Sequence, residues 1–215
     1  MSCLTLYYKS GACSLADHIL LAYVKEKTGL VYAAIQVDLN THQTENGADY
    51  YKINPRGAVP ALEVEEESRK SILTQNHAIL LYIGDLSGLS ALSPDKGSLK
   101  RARLDEALSF CSDLHAAYSP LLHPEKVGLE AAQLTGFYQK ADRRLRELEN
   151  WLPEKGFWLG REFTQADAYA AVILSWSEKA KIDLSPYPKA KELKEKVFAL
   201  PAAQIALKAE KEALG

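Results

Sequence analysis

The stretch that most constrains the fold of this chain is 54–62, which reads Asn-Pro-Arg-Gly-Ala-Val-Pro-Ala-Leu. Two prolines and a glycine are followed at once by apolar residues, so we expect a bend that runs directly into a strand. Pro60 stands at the strand start, where its missing N–H is tolerated. The cis form of an X-Pro bond costs only about 0.5–1 kcal/mol. A cis Val59-Pro60 bond would turn the Val59 N–H and C=O outward to pair with an extended peptide; the alternative is a surface turn.

Short β-prone runs alternate with helical stretches through the first 85 residues. A strand, a helix and a strand come first, then two strands around the acidic run 65–67, then another helix. Because a helical crossover joins parallel strands and a hairpin joins antiparallel ones, the order βαβ-ββα predicts a mixed sheet. The predicted strands are 4–8, 31–39, 61–64 and 70–73, the predicted helices are 14–27 and 77–86, and 41–52 is predicted as a loop with at most one short helix.

The composition changes after Asp85. The stretches 87–90 and 93–97 are rich in turn-forming residues, and the pattern beyond them is helical almost to the end. The predicted organisation is an α/β domain over 1–85, a linker over 86–97 and an all-α domain over 98–215.

Three helices can be placed in the second half from the spacing of apolar residues. They are a long helix with Leu104, Leu108, Cys111, His115 and Tyr118 along one side, a helix over 129–151, and a helix over 168–176. The last is apolar nearly all round, which predicts a position in the core. Thr164 and Asp167 just before it have the spacing of a capping box.

Composition excludes several classes of function. The net charge of −2 over 215 residues gives no basic surface for nucleic acid or anionic membrane. No apolar run approaches the roughly 20 residues needed to span a bilayer, and the N-terminus lacks the pattern of a signal peptide. Three cysteines make an odd number without paired spacing, so a reducing cytoplasm is expected. No His or Cys spacing predicts a metal site, and no Gly-rich loop predicts a nucleotide.

Cys13 is the first candidate for chemistry. It lies in the first turn of the predicted first helix, where the helix N-terminus favours a negative charge and can lower the pKa of a cysteine from about 8.5 toward neutrality. The alternative is a buried, inert thiol. Ala16 stands where a second cysteine of a C-x-x-C motif would be, so a dithiol thioredoxin function is disfavoured.

Several motifs together resemble one family. Asn-Pro-x-Gly-x-Val-Pro-x-Leu is the signature of the thioredoxin-like domain of cytosolic glutathione S-transferases, and other stretches look like the bacterial beta class of that family. These stretches are 6–15, 37–39, 73–76, 114–121 and 163–169, so the resemblance covers nearly the whole chain. It implies a thioredoxin-like N-terminal domain followed by an all-α helical bundle, and a transferase that adds the thiolate of glutathione to small apolar electrophiles.

The resemblance also implies how glutathione is held. Its cysteinyl backbone would pair with Val59, beside Pro60. Gln75 and Asn76 would hold its γ-glutamyl end, although Asn76 is equally a good N-cap residue. His42 stands near the position of a family lysine that reaches the glycyl carboxylate; the alternative is a solvated loop histidine.

Five residues are assigned to the thiol and to the electrophile pocket. In the beta class the cysteine at the position of Cys13 lies next to the glutathione sulfur and can form a mixed disulfide with it. His115 would donate to the thiolate or act as a base, the alternative being a satisfied core histidine. Ser10, where the class usually has proline, would donate to the thiolate or cap the first helix, and we expect the cap. Cys111 and Tyr118, one turn either side of His115, would line the electrophile pocket.

The resemblance implies glutathione as co-substrate without another cofactor, and a twofold dimer. Two other functions stay open. One is a glutathione-dependent thiol-disulfide reductase or isomerase that uses Cys13. The other is a binding protein that keeps the fold without catalysis, since fold alone does not fix function.

Overall fold

The computed structural model describes residues 3–67, 69–128 and 130–213. The chain forms two compact units: one includes the chain up to Ser93 and resumes at Ala199, and the other is Pro94–Phe198. The α-helices are α1 Leu15–Thr28, α2 Asn76–Ser87, α3 Leu99–Leu122, α4 Ala131–Trp151, α5 Gln165–Ser175, α6 Pro188–Phe198 and α7 Pro201–Glu212.

Within the described residues the first unit contains a five-stranded sheet in the order β3-β2-β1-β4-β5. The strands are β1 Cys3–Tyr8, β2 Tyr32–Asp38, β3 Gln43–Thr44, β4 Ala61–Glu66 and β5 Arg69–Thr74. β1 runs parallel to β2 and antiparallel to β4, and β4 forms a hairpin with β5. The predicted order βαβ-ββα is therefore confirmed. In the predicted loop, the structure adds the short β3 and a single 3-10 turn, Tyr50–Lys52.

Helix α1 lies against β1, β2 and α2 and supplies much of the core of this unit. Its apolar residues Ile19 and Leu20 are fully buried, as are Leu4 and Leu6 of the central strand. The helix ends at Gly29, which has φ 77° and donates its N–H to the carbonyl of Lys25 at 2.9 Å. Glycine adopts this left-handed conformation at the lowest cost, so it ends the helix here.

The last helix, α7, belongs to the first unit, which differs from the predicted all-α domain over 98–215. Pro201 opens the helix, and Ala202, Ala203 and Ala206 are fully buried. These small side chains let α7 pack closely against α1. The sequence pattern predicts an amphipathic helix here, but periodicity carries no information about which surface covers its apolar face.

The second unit consists of α3 to α6. The predicted helix over 129–151 is found as α4; its predicted first residue, Leu129, lies outside the described residues. Residues 165–174 of α5 are all buried, as its all-round apolar pattern predicts. The predicted capping box is present as well, and in it Asp167 Oδ2 accepts the Thr164 N–H at 2.8 Å. Outside the box, Asp167 Oδ1 accepts the Trp158 N–H at 2.7 Å.

None of the helices described here combines the length and the apolar character that a membrane span requires.

Candidate active site

The loop between β1 and α1 carries Cys13 and is held from two directions. Ser14, at the N-cap position of α1, accepts the Lys9 N–H on its Oγ at 3.1 Å. From α7, Glu210 Oε2 accepts the Gly11 N–H at 3.1 Å, and Glu210 Oε1 lies 3.2 Å from His18 Nδ1. Glu210 and His18 are both buried. A helix from the far end of the chain thus fixes the loop that presents the thiol.

Ser10 does not cap α1 in the structure. Its Oγ donates to the backbone carbonyl of Glu210 at 2.9 Å, and α1 begins at Leu15 with Ser14 as the residue before it. The expectation that Ser10 caps α1 is therefore wrong. A hydroxyl has one hydrogen to donate, and here α7 receives it. No local pattern could have indicated a partner 200 positions away.

Cys13 is 9% exposed, and its Sγ lies 3.6 Å from the carbonyl oxygen of Val59. Burial, followed by the nearby Asp17 carboxyl, raises the pKa of the Cys13 thiol to about 12. This corrects the expectation of a lowered pKa. The cost of burying a thiolate outweighs the favourable field of a helix N-terminus. Cys13 is therefore a neutral thiol near neutral pH.

The bend at 54–60 is built around one carbonyl group. The Ala58 C=O accepts the Tyr50 hydroxyl at 2.8 Å and the Asn54 Nδ2–H at 2.7 Å. The Val59-Pro60 peptide bond is cis. Among the residues that the structure describes, nothing accepts the Val59 N–H. The bend therefore offers a backbone donor beside the Cys13 sulfur.

His42 lies over the same bend. Its ring centroid is 4.3 Å from that of Tyr51, and its backbone is left-handed with φ 54°. Gly57 makes this approach possible, because a Cβ there would lie 2.9 Å from His42 Cε1 and 2.7 Å from Tyr51 Cε1. His42 Nδ1 is buried and has no hydrogen-bond partner within the described part of the chain. The described residues therefore leave that buried nitrogen without a partner.

Gln75 and Asn76 stand at the start of α2, but Asn76 does not cap it. The cap position is Gln75, which is exposed, has φ 75° and makes no capping hydrogen bond with its side chain. Asn76 is the first helical residue, and its buried side chain points inward: Nδ2 donates to the Cys13 carbonyl at 2.9 Å and to Asp17 Oδ2 at 3.0 Å. Its side chain therefore contacts the thiol loop rather than the backbone of α2.

In the second unit, His115 is half-buried. Its Nδ1 is 2.9 Å from the Tyr169 hydroxyl, and its ring centroid is 5.0 Å from that of Trp176. Burial lowers the pKa of His115 below its usual value, so the neutral imidazole is favoured. Nε2 makes no hydrogen bond among the residues described, which leaves this nitrogen for a ligand.

Cys111 and Tyr118 do not line an open surface. Both are 0% exposed, Cys111 Sγ contacts the Ala166 carbonyl at 3.6 Å, and the Tyr118 hydroxyl is 3.0 Å from Ser177 Oγ. All of these partners lie within the second unit. The predicted pocket role is corrected accordingly. Helical spacing identifies one side of α3, but it does not show that α5 and the segment after it cover that side.

Three residues of the site were missed by sequence reasoning. Asp17 carries the one available signal, since it is a lone acid within the apolar run 15–22 and such an acid requires a partner when it is buried. His18 and Glu210 carry none, because they meet only through the packing of α7. In the described ranges no three His, Cys, Asp or Glu side chains cluster as metal ligands.

Comparisons with known proteins identify the family to which the chain is similar. The model of the glutathione S-transferase N-terminal domain matches residues 3–85, and the model of the C-terminal domain matches residues 113–201. Glutathione S-transferase GST-4.5 of Xanthomonas campestris pv. campestris is 36% identical over 210 residues, covering 95% of this chain and 98% of that protein.

Two solved structures are similar over almost their whole length. A bacterial beta class glutathione S-transferase from Sphingomonas chungbukensis is 38% identical, with a TM-score of 0.84 over 96% of this chain and 98% of that one. A sphingomonad glutathione S-transferase complexed with glutathione is also 38% identical, with a TM-score of 0.85 and the same coverage.

Proposed function

This chain belongs to the glutathione S-transferase family and resembles its bacterial beta class, and we infer that it is a glutathione transferase. The reaction joins the sulfur of glutathione to an electrophilic carbon. The thiol first loses its proton, the thiolate forms the new S–C bond, and with an aryl halide the halide leaves with the electron pair of the broken bond. The enzyme has to hold the thiolate and place the electrophile near it.

The observation that carries this proposal is the 3.6 Å distance between Cys13 Sγ and the Val59 carbonyl oxygen. The neighbouring Val59 N–H is unused among the described residues. An extended peptide that adds to a sheet edge is held by such main-chain groups. Glutathione paired to Val59 through its cysteinyl residue would therefore present its thiol to Cys13, while Pro60 shapes the bend below it.

The γ-glutamyl end would bind at the start of α2. The first backbone N–H groups of a helix and its dipole favour a carboxylate. The exposed Gln75 side chain would accept a hydrogen bond from the γ-glutamyl ammonium group. A neutral amide is a weaker partner than a carboxylate, because charge-assisted hydrogen bonds are roughly twice as strong. Replacing Gln75 by Glu should therefore tighten glutathione binding.

The glycyl end would bind at His42. The ring is already positioned by Tyr51 and Gly57, and its buried Nδ1 lacks a protein partner in the described residues. A histidine N–H donates to a carboxylate with or without a positive charge. We therefore propose that His42 binds the glycyl carboxylate.

From the family resemblance, we propose different chemical roles for Cys13 and His115. Because burial keeps Cys13 protonated, its S–H, which donates to the Val59 carbonyl at 3.6 Å in the structure, would turn to the glutathione thiolate and stabilise the charge there. The favoured neutral form of His115, with Nε2 unoccupied among the described residues, suits a base that accepts the thiol proton or a donor to the thiolate. Ser10 would act only indirectly, through the loop that it ties to Glu210.

The thiol-disulfide alternative requires the thiolate of Cys13, since the thiolate is the form that attacks a disulfide. A pKa of about 12 disfavours that form. The non-catalytic alternative is disfavoured by a backbone donor, a thiol and an unpartnered imidazole that converge on one bend. Glutathione transfer is the function that this geometry supports best.

The experiment that tests the proposal combines glutathione calorimetry with turnover of 1-chloro-2,4-dinitrobenzene. We expect wild type to bind and turn over, and His115→Ala to bind with reduced turnover. His123→Ala is the matched control, because His123 is an exposed histidine of the same unit. Binding without turnover in wild type would contradict the transferase; no binding at millimolar glutathione would contradict the site itself.

The remaining parts of the proposal concern partners and location. We propose a small apolar electrophile, a role in detoxification, a twofold dimer and a cytoplasmic location, each from family membership. Light scattering of the purified protein tests the dimer: a mass near twice 23.8 kDa is expected, and a mass near that of one chain would contradict it.

A further inference from the structure

One side-chain amide joins two helix starts in the first unit. Asn76 Nδ2 carries two hydrogens, one donated to the Cys13 carbonyl at 2.9 Å and the other to Asp17 Oδ2 at 3.0 Å. The Cys13 carbonyl also accepts the Ala16 N–H at 3.1 Å in the first turn before α1. Asn76 itself is the first residue of α2. The positions at which α1 and α2 begin are therefore tied together by one buried group.

Asp17 accepts one end of this bridge, and burying its carboxyl lowers the stability of the fold. It is 0% exposed, and its Oδ1 has no hydrogen-bond partner among the residues described. Burial raises the pKa of the Asp17 carboxyl well above its usual range, so the neutral acid is favoured. A buried polar atom without a partner destabilises the fold. We therefore relate the role of Asp17 to the hydrogen bond that its carboxyl accepts from the second Nδ2 hydrogen of Asn76.

The two ends of this bridge coincide with two parts of the proposed glutathione site, and the inference rests on that proposed function. The thiol would lie at Cys13, and the γ-glutamyl carboxylate at the start of α2. Both Nδ2 hydrogens of Asn76 are used within the protein, so its side-chain nitrogen has none left to donate to a ligand. We propose that Asn76, anchored by Asp17, is a positioning residue that sets the spacing between the two subsites and makes the site selective for γ-glutamyl thiols.

Glutathione and a shorter thiol differ in how many of the two subsites they occupy. Glutathione occupies both subsites, so its productive position depends on the distance between them. Cysteinylglycine has the same thiol and glycyl carboxylate but lacks the γ-glutamyl group, so it uses only one of the two. A misplacement of about 1 Å can reduce turnover by up to about 100-fold. A change of spacing should therefore affect glutathione and spare the shorter thiol.

The test compares kcat and KM for glutathione and for cysteinylglycine, with 1-chloro-2,4-dinitrobenzene as electrophile. For Asn76→Ala we expect kcat/KM with glutathione to fall about tenfold, mainly through a lower kcat. The value with cysteinylglycine should change by less than about twofold. A role in folding alone would lower both values together. The ratio of kcat/KM with glutathione to kcat/KM with cysteinylglycine therefore separates a positioning role from an effect on stability.

Asp17 offers a matched pair of variants that does not alter Asn76. Asp17→Asn keeps an oxygen that accepts from Asn76 Nδ2 and matches the neutral acid in charge and shape, so the wild-type ratio should be retained. Asp17→Ala removes the acceptor and should lower the ratio in the same direction as Asn76→Ala. If Asn76→Ala does not fold, the two Asp17 variants decide the question.

Two results would overturn the inference while leaving the proposed function intact: an unchanged ratio in the folded variants, or an equal fall for both thiols. Equal behaviour of Asp17→Asn and Asp17→Ala would overturn the anchoring role. A wild-type protein that neither binds nor turns over glutathione would overturn the proposed function, and this inference with it.

Discussion

Replacing Glu210 by alanine should destabilise the first unit strongly. The Glu210 carboxylate accepts the Gly11 N–H at 3.1 Å and lies 3.2 Å from His18 Nδ1, with both side chains at most 4% exposed. Removing the carboxylate leaves the buried His18 Nδ1 without its partner, and a buried polar group without a partner costs about 1–3 kcal/mol. We expect a loss of this size in the free energy of unfolding, together with weaker glutathione binding because the Cys13 loop loses its support.

The assay is urea denaturation followed by circular dichroism at 222 nm, with glutathione calorimetry on the folded protein. Glu212→Ala is the matched control, since it removes the same side chain from the same helix two positions later. Glu212 is exposed and contacts only Lys208 at 3.8 Å among the described residues. Exposed pairs of this kind typically contribute about 0–1 kcal/mol. Glu210→Gln should fall between the two, because the amide oxygen can still accept from Gly11.

The reasoning is refuted if Glu210→Ala and Glu212→Ala unfold at the same urea concentration. That result would mean that α7 does not support the thiol loop. A destabilised Glu210→Ala that binds glutathione with wild-type affinity would refute the second step alone, since the loop would then keep its position without the carboxylate.

Three further predictions concern single groups. Burial raises the pKa of Asp167 to about 6, against about 3.9 when unfolded. This carboxyl therefore stabilises the fold below pH 4 and loses that contribution, about 3 kcal/mol, as the pH rises through 6. Asp167→Asn should abolish this pH-dependent difference in the free energy of unfolding, measured in denaturation series at these pH values; a parallel pH dependence in both proteins would contradict it. Gly57→Ala should lower stability and glutathione affinity more than Gly97→Ala. Both glycines have positive φ, but of the two only Gly57 has atoms within 4 Å of the new Cβ. Equal melting temperatures and affinities of the two variants would exclude a steric clash at Gly57. With a pKa of about 12, Cys13 is a thiolate in only about one molecule in 10,000 at pH 8. Iodoacetamide should therefore modify the exposed Cys3 at least 100-fold faster than Cys13. Equal modification rates of the two cysteines, measured by mass spectrometry, would contradict the buried thiol.

The parts of the fold that the sequence could predict are those decided by local chemistry. Alternating apolar residues place β1 and β4, because a strand exposes one face to the core at every second position. The acidic run between β4 and β5 marks a hairpin turn, and Thr164 with Asp167 marks the start of α5. Each of these signals lies within about ten residues of the structure that it predicts. The bend at 54–60 is the strongest of them, since its prolines and glycine restrict the backbone directly.

The parts that could not be predicted depend on which surfaces meet. Nothing near Ser10 shows that Glu210 will accept its hydroxyl, and nothing near Cys111 shows that α5 will cover it. Asn76 is typical of a helix cap by composition, yet its side chain turns inward because Asp17 and the Cys13 carbonyl offer two buried acceptors. Residue type indicates what a side chain is able to bind; packing selects among those partners.

The pKa of Cys13 shows how this difference changes the chemistry inferred from one residue. Position alone favours a thiolate, because a helix N-terminus attracts negative charge. Packing adds the opposite effect: the loop is covered, the Asp17 carboxyl lies nearby, and the neutral thiol is favoured. Two thiolates in one covered site would repel each other, whereas a thiol beside a thiolate forms a hydrogen bond. A protonated Cys13 therefore leaves the negative charge to the sulfur of glutathione, which is the atom that has to attack. The same burial that makes Cys13 a poor nucleophile makes it a suitable partner for one.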